Sequence, residues 1–228
     1  MRIRIRIFWI VFMSFTVSFF TSCISTEKLT SFVKPKFVNS VNETENSNII
    51  FDFSKLDTIE NIVQSEKLKS YIIPAILFWQ WENNIKCQIN PQSVGNMFKS
   101  YFIDYAKSLG LSEKLENQNL EIKIEKLPSS FIYVDKGYTI ILIVGYSISE
   151  LEAIYPEKQD IVIKYKLREN GQDVKSEELT IINKDTAIKN TWRTASTRIF
   201  TKIYVEQFEK NIKETAKEAV DFFLNNTK

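Results

Sequence analysis

The chain has 228 residues, of which 30 are Lys or Arg and 28 are Asp or Glu, so its formal net charge is only +2. Charges of both signs are interspersed, without the basic stripe of a nucleic-acid-binding protein, so we predict no nucleic-acid partner. The absence of histidine excludes catalytic centres and metal sites that use an imidazole. Hydrophobic residues make up 44% of the chain, which is ample for a packed core.

The first 22 residues have the parts of a secretory signal peptide. Residues 1–6 contain three arginines, residues 7–20 are uncharged and largely apolar, and Thr21 and Ser22 are small. Small residues followed directly by Cys23 resemble the lipobox of bacterial lipoproteins, although Phe20 departs from its usual leucine. The resemblance implies cleavage between Ser22 and Cys23 and a lipid on Cys23.

Two alternatives to a lipid anchor stay open at this point. A transmembrane anchor needs about 20 apolar residues, and the run here is shorter. A plain signal peptide followed by a coincidental cysteine is the other alternative. Removal of residues 1–22 takes away three arginines and no acid, which changes the formal charge from +2 to −1.

The chain has only two cysteines, Cys23 and Cys87. If Cys23 carries lipid, Cys87 has no partner for an intramolecular disulfide. A nucleophilic thiol needs a nearby base, and the chain offers no histidine. We therefore interpret Cys87 as a small apolar residue within a strand.

Residues 23–48 are predicted to form a flexible tether, and residues 49–228 a single domain. The polar stretch 39–48 shows no periodicity and buries too little apolar area to offset the entropy of ordering. Residues 49–53 suggest a short strand. Apolar residues at helical spacing then predict a helix over about 55–66.

The most hydrophobic segment after the leader, residues 71–81, is rich in aromatic and β-branched residues and predicts a buried strand. Pro74 would lie at an edge or a bulge, because it cannot donate a ladder hydrogen bond. The polar residues 82–84 predict a turn. Residues 85–89 alternate with a period of two and predict the returning strand of a hairpin.

A helix is predicted from Asn90, its N-cap, to Gly110, which can end it in the left-handed conformation. Pro91 suits the first turn. Its apolar stripe has helical spacing and comprises Val94, Met97, Phe98, Tyr101, Phe102, Tyr105 and Leu109.

Residues 118–183 predict an antiparallel meander, with strands over 120–127, 138–148, 161–167 and 179–182 and a turn over 169–173. A long amphipathic helix is predicted over 197–224. The fold class is therefore α+β: a two-layer sandwich with a largely antiparallel sheet and both helices packed on one face.

This element order, together with the lipobox, resembles the small envelope lipoproteins of the ABC-transport auxiliary and LPS-assembly type. The resemblance implies a non-catalytic binding or accessory subunit of an envelope transport or assembly system. It also implies a protein partner in the envelope and a lipid anchor in a membrane, with the outer membrane favoured. No cofactor is implied.

The sequence carries no GxSxG, P-loop, GxGxxG or CxxC motif. A carboxylate pair could still serve as acid and base, with Glu82, Asp104, Asp135 and Asp160 as candidates. We interpret each as a turn or surface acid. The acids show no EF-hand-like spacing, so we predict neither a metal site nor an enzyme.

Tryptophans supply the candidate binding surface. Trp79 and Trp81 are two residues apart and would share one face of a strand, and Trp192 with Arg193 precedes the last helix. Paired aromatics can stack on sugars or anchor a partner; the simpler alternative is core packing beneath a helix. The competing functions are thus a surface lipoprotein that binds a glycan or host protein, and a carboxylate-dependent hydrolase.

Overall fold

The computed structural model describes residues 24–38, 48–75, 77–115, 118–142 and 145–226. The predicted leader, its cleavage site and the lipidated Cys23 lie outside the described residues. The helices are α1 (Thr26–Val38), α2 (Pro91–Ser108), α3 (Leu111–Leu115) and α4 (Thr197–Asn226). The strands are β1 (Ile49–Asp52), β2 (Val63–Pro74), β3 (Phe78–Ile89), β4 (Gln118–Lys126), β5 (Ser130–Leu142), β6 (Gly145–Pro156), β7 (Ile161–Glu169), β8 (Gln172–Ile181) and β9 (Ile188–Thr191).

The α+β class is confirmed, with the described strands arranged in two sheets. A four-stranded sheet has the order β1-β4-β7-β8, and a five-stranded sheet has the order β2-β3-β5-β6-β9. β1 runs parallel to β4, and all other pairs are antiparallel. The predicted single meander is wrong, because β4 pairs with β7 and the β5–β6 hairpin between them joins the other sheet. Alternation marks a buried face but does not identify the neighbouring strand.

The flexible tether predicted for residues 23–48 is wrong over α1. Leu29, Val33 and Phe37 follow one another at intervals of four residues and are buried in the core. Thr30 Oγ1 donates to Ser65 Oγ at 2.8 Å, which holds α1 against β2. The composition that predicts a tether is confined to residues 39–48 and does not extend back to α1.

The predicted aromatic helix is confirmed as α2. The Asn90 side chain accepts a hydrogen bond from Gln92 N at 2.9 Å, and Pro91 is the first helical residue. Gly110, beyond the C-terminal end, has φ +70°, the left-handed conformation expected there. Val94, Met97, Phe98 and Phe102 of the stripe are buried, whereas Leu109 is exposed.

The predicted C-terminal helix is confirmed as α4, and it unites the two sheets in one core. The rings of Tyr204 and Phe131 on β5 have centroids 4.8 Å apart. Just over five turns further along α4, the ring centroid of Phe223 lies 4.9 Å from that of Tyr165 on β7. One face of α4 therefore packs first on the five-stranded sheet and then on the four-stranded sheet.

Two hairpins differ from the predictions at their turns. The helix predicted over 55–66 is wrong, because the backbone is already a strand from Val63. β3 runs straight through the predicted turn at 82–84, and the reversal lies between Pro74 and Phe78. Likewise the strand predicted over 138–148 is two strands, β5 and β6, which register Leu142 with Gly145. The polar residues at 82–84 lie in mid-strand, where Asn83 belongs to a polar row described below and Glu82 forms an ion pair with Lys69.

The strands predicted over 49–53, 120–127 and 161–167 are confirmed as β1, β4 and β7, and the strand predicted over 179–182 is the end of β8. The single buried strand predicted over 71–81 is wrong, because these residues include the end of β2, the reversal and the start of β3, and none of those that the structure describes is buried. β4 and β7 bury alternate residues, including Leu120, Ile122, Ile163 and Leu167, and leave the intervening charged residues at least partly exposed. The turn between β7 and β8 contains Asn170 and Gly171, both with positive φ, as a two-residue hairpin requires.

Candidate functional site

Four polar side chains form a row across the inner face of the five-stranded sheet. Asn83 on β3 registers with Asp135 on β5, Asp135 with Glu152 on β6, and Glu152 with Asn190 on β9. Residues directly opposite in an antiparallel pair share one face, so the four lie side by side. Each is at most 4% exposed. We call these four residues the polar row.

Both carboxylate oxygens of Glu152 accept hydrogen bonds from other residues of the sheet. Tyr133 Oη donates to Glu152 Oε1 at 2.6 Å, and Asn190 Nδ2 donates to Oε2 at 2.5 Å. Burial and the negative charge of Glu152 raise the pKa of Tyr133 above its ordinary value. Tyr133 therefore stays protonated and serves as a fixed donor to this carboxylate.

Asp135 joins the polar row to two residues of the predicted binding surface. Its Oδ1 accepts hydrogen bonds from Trp81 Nε1 at 3.1 Å and from Arg193 Nη2 at 2.5 Å. Its Oδ2 is buried and has no hydrogen-bond partner among the described residues. Arg193 Nε also lies 3.3 Å from Glu150 Oε2. Burial lowers the pKa of Arg193, but the charge and hydrogen bond of Asp135 together with the charge of Glu150 outweigh burial, and the net direction is upward.

The two adjacent tryptophans share one face of β3, as predicted. Trp79 registers with Thr139 and Trp81 with Gly137, so both rings stand beyond the polar row on the same face. Both side chains are partly exposed. Gly137 leaves room for the Trp81 ring: a Cβ there would collide with that ring and lie 2.5 Å from the Ser149 carbonyl oxygen.

Trp192 and Arg193 form a strained turn between β9 and α4. Trp192 has φ +61° and Arg193 has φ +47°, and this left-handed region is unfavourable for residues other than glycine. The turn is held by Asn190, whose Nδ2 donates to Ala195 O at 2.7 Å and whose Oδ1 accepts from Ala195 N at 3.1 Å. Trp192 is 67% exposed, whereas Arg193 is folded back onto Asp135. The structure thus brings Trp81 and Arg193 together and leaves the Trp192 ring in solvent.

The first described residue of the chain is attached to the same sheet. Asn83 Nδ2 donates to the carbonyl oxygen of Ile24 at 3.2 Å, and Ile24 is itself buried. Ile24 directly follows Cys23 in the sequence. The position proposed to carry the lipid is therefore one residue from a contact with the polar row.

The four acids considered for catalysis differ in environment. Glu82 pairs with Lys69 at 2.6 Å, which holds its pKa below the usual range through a hydrogen bond. Asp104 is exposed, and Asp160 accepts a hydrogen bond from Asn183 N at 3.0 Å. Asp135 is 1% exposed, so its interpretation as a turn or surface acid is wrong.

Sequence reasoning missed Glu152 and Asn190, the other half of the polar row. A signal for Glu152 was present: it has the parity of the buried Ile154 and so interrupts the inward face of β6. Recognising it required the correct hairpin register, which the single strand predicted over 138–148 concealed.

Other features of the described residues offer little for ligand chemistry. Cys87 is buried in β3, as predicted, and burial raises the pKa of its thiol to about 12. A depression of about 210 Å³ beside Gln64 and Lys86 is smaller than the 300–1,000 Å³ usual for ligand sites. Within the described ranges, no group of three or more acidic or cysteine side chains could hold a metal ion. No helix in those ranges has the length and hydropathy to cross a membrane.

Comparison of the chain with protein-family models, with curated proteins and with solved structures finds no match. The functional argument therefore depends on the residues themselves and on their arrangement.

Proposed function

We propose that the chain is a lipid-anchored protein of a bacterial cell envelope that acts as a non-catalytic binding subunit of a transport or assembly complex. The observation that best supports this proposal is the hydrogen bond from Asn83 to the Ile24 carbonyl oxygen. If Cys23 is the acylated first residue of the mature protein, this contact joins the anchor to the folded domain without an intervening spacer. The domain then acts close to the membrane surface.

The arrangement of the two buried carboxylates supports binding rather than catalysis. A general base must be within reach of a substrate proton. Glu152 has both oxygens occupied by internal donors, and Asp135 is almost completely buried. These acids hold the sheet, the tryptophan face and the turn before α4 in register. Trp79, Trp81 and Trp192 remain accessible to a partner.

Incorporation of labelled palmitate in the native host tests the anchor. Wild type, Cys23→Ala and Cys87→Ala are compared, since Cys87→Ala removes the other cysteine and serves as the matched control. We expect label in wild type and in Cys87→Ala and none in Cys23→Ala. Label in Cys23→Ala, or an unlabelled wild type with its leader intact, would contradict the proposal.

A pull-down from detergent-solubilised membranes tests the role as a subunit. We expect a defined envelope protein to co-purify with the wild type, and Trp192→Ala to reduce its recovery while Val174→Ala does not. Val174 is a comparably exposed apolar residue on β8, so it controls for a general loss of surface hydrophobicity.

One observation favours a second candidate function, the binding of an external glycan. The Trp192 ring is 67% exposed in a strained turn, and strain of this kind persists only where the surroundings enforce it. Aromatic rings in such positions can stack on sugars. A glycan array probed with wild type and Trp192→Ala decides this candidate: binding that depends on Trp192, without an envelope partner, would favour it.

A further inference from the structure

Two neighbouring hairpins of the five-stranded sheet have ends without any charged residue. Residues 70–81 and 137–149 contain no Asp, Glu, Lys or Arg, although such residues make up 25% of the chain. The first segment contains the end of β2 and the beginning of β3, and the second contains the corresponding parts of β5 and β6. β3 pairs with β5, so the two charge-free ends lie side by side.

Both faces of these ends expose apolar side chains. Ile72 registers with Trp81 on the inner face, and it is 45% exposed. Ile73 and Tyr138 both register with Gln80 on the outer face and are 48% and 39% exposed. A sheet that extends into water keeps polar residues on its solvated face. Exposure of apolar residues on both faces indicates an apolar environment on both sides.

Charged residues begin abruptly where the sheet meets the polar row. The first charge-free end is bordered by an ion pair between Lys69 Nζ and Glu82 Oε2, which are 2.6 Å apart. The second is bordered by Glu150, whose Oε2 lies 3.3 Å from Arg193 Nε. Trp79 and Trp81 stand just beyond this boundary. Tryptophans at the limit between apolar and charged residues are typical of the membrane–water interface.

The position of Ile24 gives these hairpin ends their orientation. Its contact with Asn83 lies at the boundary, two residues along β3 from Trp81. An acyl chain on Cys23 would therefore enter a membrane beside the charge-free ends. From Asn83 to Phe78 the strand β3 extends roughly 16 Å at about 3.3 Å per residue, which is long enough to cross the headgroup region of one leaflet.

We propose that the described strand ends within these charge-free segments, residues 70–74, 78–81, 137–142 and 145–149, contact the lipid bilayer, with Trp79 and Trp81 at the level of the interface. This inference rests on the proposed function, because the orientation derives from the anchor at Cys23. Among the described strands, β2 has an unpaired edge, and β9 covers β6 only over Leu151–Ile154. Unpaired backbone groups cost several kcal/mol each in hydrocarbon, so a single chain enters only the interfacial part of one leaflet.

Quenching by brominated lipids tests the proposal. Trp192→Phe leaves Trp79 and Trp81 as the only tryptophans after the leader. This protein is purified from membranes, and mass spectrometry records the state of Cys23. It is then reconstituted into vesicles of phosphatidylethanolamine and phosphatidylglycerol. We expect a loss of emission in vesicles with brominated acyl chains relative to vesicles without bromine.

Two matched variants of this protein locate the contact. Adding Ile72→Glu and Ile73→Glu should abolish the quenching, because it introduces charge at the proposed contact. Adding Val174→Glu and Ile182→Glu, the same change at exposed positions on and beside β8, should leave it intact. All four side chains are at least 45% exposed, so neither pair removes core packing; circular dichroism verifies the fold.

The outcomes separate this inference from the proposed anchor. Equal emission in both kinds of vesicle, with Cys23 acylated, overturns the bilayer contact and leaves the anchor standing. Quenching with Cys23 unmodified overturns the anchor and supports the contact. Tryptophans that are unquenched because a second copy or another protein covers them also overturn the contact.

Discussion

Arg193 Nη2 donates to Asp135 Oδ1 at 2.5 Å, and this ion pair fastens the turn before α4 to the middle of the five-stranded sheet. Asp135 is 1% exposed, so removal of its partner would leave a carboxylate buried without compensating charge. We predict that Arg193→Met lowers the free energy of unfolding by about 3–5 kcal/mol. Urea denaturation followed by circular dichroism measures it.

The matched control neutralises both partners. Asp135→Asn keeps the shape of the side chain and an oxygen for Trp81 Nε1 but removes the charge. Asp135→Asn combined with Arg193→Met should therefore recover most of the stability lost by Arg193→Met alone. A loss below about 1 kcal/mol in the single variant would mean that the pair behaves as an exposed salt bridge.

The approach of Trp81 to Gly137 gives a second prediction. A Cβ at position 137 would collide with the indole and lie 2.5 Å from the Ser149 carbonyl oxygen, which belongs to the sheet backbone and cannot move freely. Gly137→Ala should destabilise the protein by about 1–3 kcal/mol and change the environment of the Trp81 ring. Thermal unfolding and tryptophan emission report the two effects. Trp81→Ala combined with Gly137→Ala should remove the ring collision and restore part of the stability; no restoration would assign the cost to the backbone alone.

The packing of α1 distinguishes a structural helix from a tether. Leu29 is 0% exposed and lies on the same face of α1 as Val33 and Phe37. Leu29→Ala should cost about 2–5 kcal/mol of unfolding free energy, because it leaves a cavity in the core. Lys34→Ala, on the exposed side of the same helix, should change it by less than about 0.5 kcal/mol. Equal, small effects of the two substitutions in urea denaturation would restore the tether interpretation.

The elements predicted correctly are those whose periodicity is set by a single buried face. α2 and α4 present long apolar stripes, and β4 alternates cleanly because its other face is covered by charges such as Lys123 and Glu125. In these elements local sequence and burial point to the same structure.

The wrong predictions concern residues whose partners are far away in the sequence. Asn83 and Asn84 lie in mid-strand because Asn83 belongs to the polar row and binds the Ile24 carbonyl; by composition they indicate a turn. The pairing of Asp135 with Arg193 spans 58 residues, and no local spacing reveals it. The tryptophan face was predictable from the spacing of Trp79 and Trp81, whereas the acids that position it depend on the register of four strands.

Titration of the cysteine thiols tests both the burial of Cys87 and the modification of Cys23. Cys87 is buried, and burial raises the pKa of its thiol to about 12, so the reactive thiolate is scarce at neutral pH. We predict that the folded protein does not react with an aromatic disulfide reagent at pH 8, and that in urea the protein purified from membranes releases one equivalent of thiolate product per chain. Two equivalents would mean that Cys23 is unmodified, and rapid reaction without urea would mean that β3 opens readily.

Tyr204 makes the stability of the fold sensitive to alkaline pH. It is completely buried, and its hydroxyl donates to Asp185 Oδ2 at 2.9 Å. Burial and the charge of Asp185 raise the pKa of Tyr204 above the value of about 10 that it has in the unfolded chain. The folded state therefore favours the protonated phenol: its contribution to stability is complete below pH of about 10 and is lost progressively as the pH rises beyond that value.

Tyr204→Phe should lower the free energy of unfolding at pH 7 by about 1 kcal/mol, the net value of one hydrogen bond. Above pH 10 it should also make the decline with pH shallower, by up to about 1.4 kcal/mol per pH unit. Urea denaturation at intervals between pH 7 and 11 measures both effects, and parallel declines in wild type and Tyr204→Phe would show that this phenol ionises as readily in the folded chain as in the unfolded one.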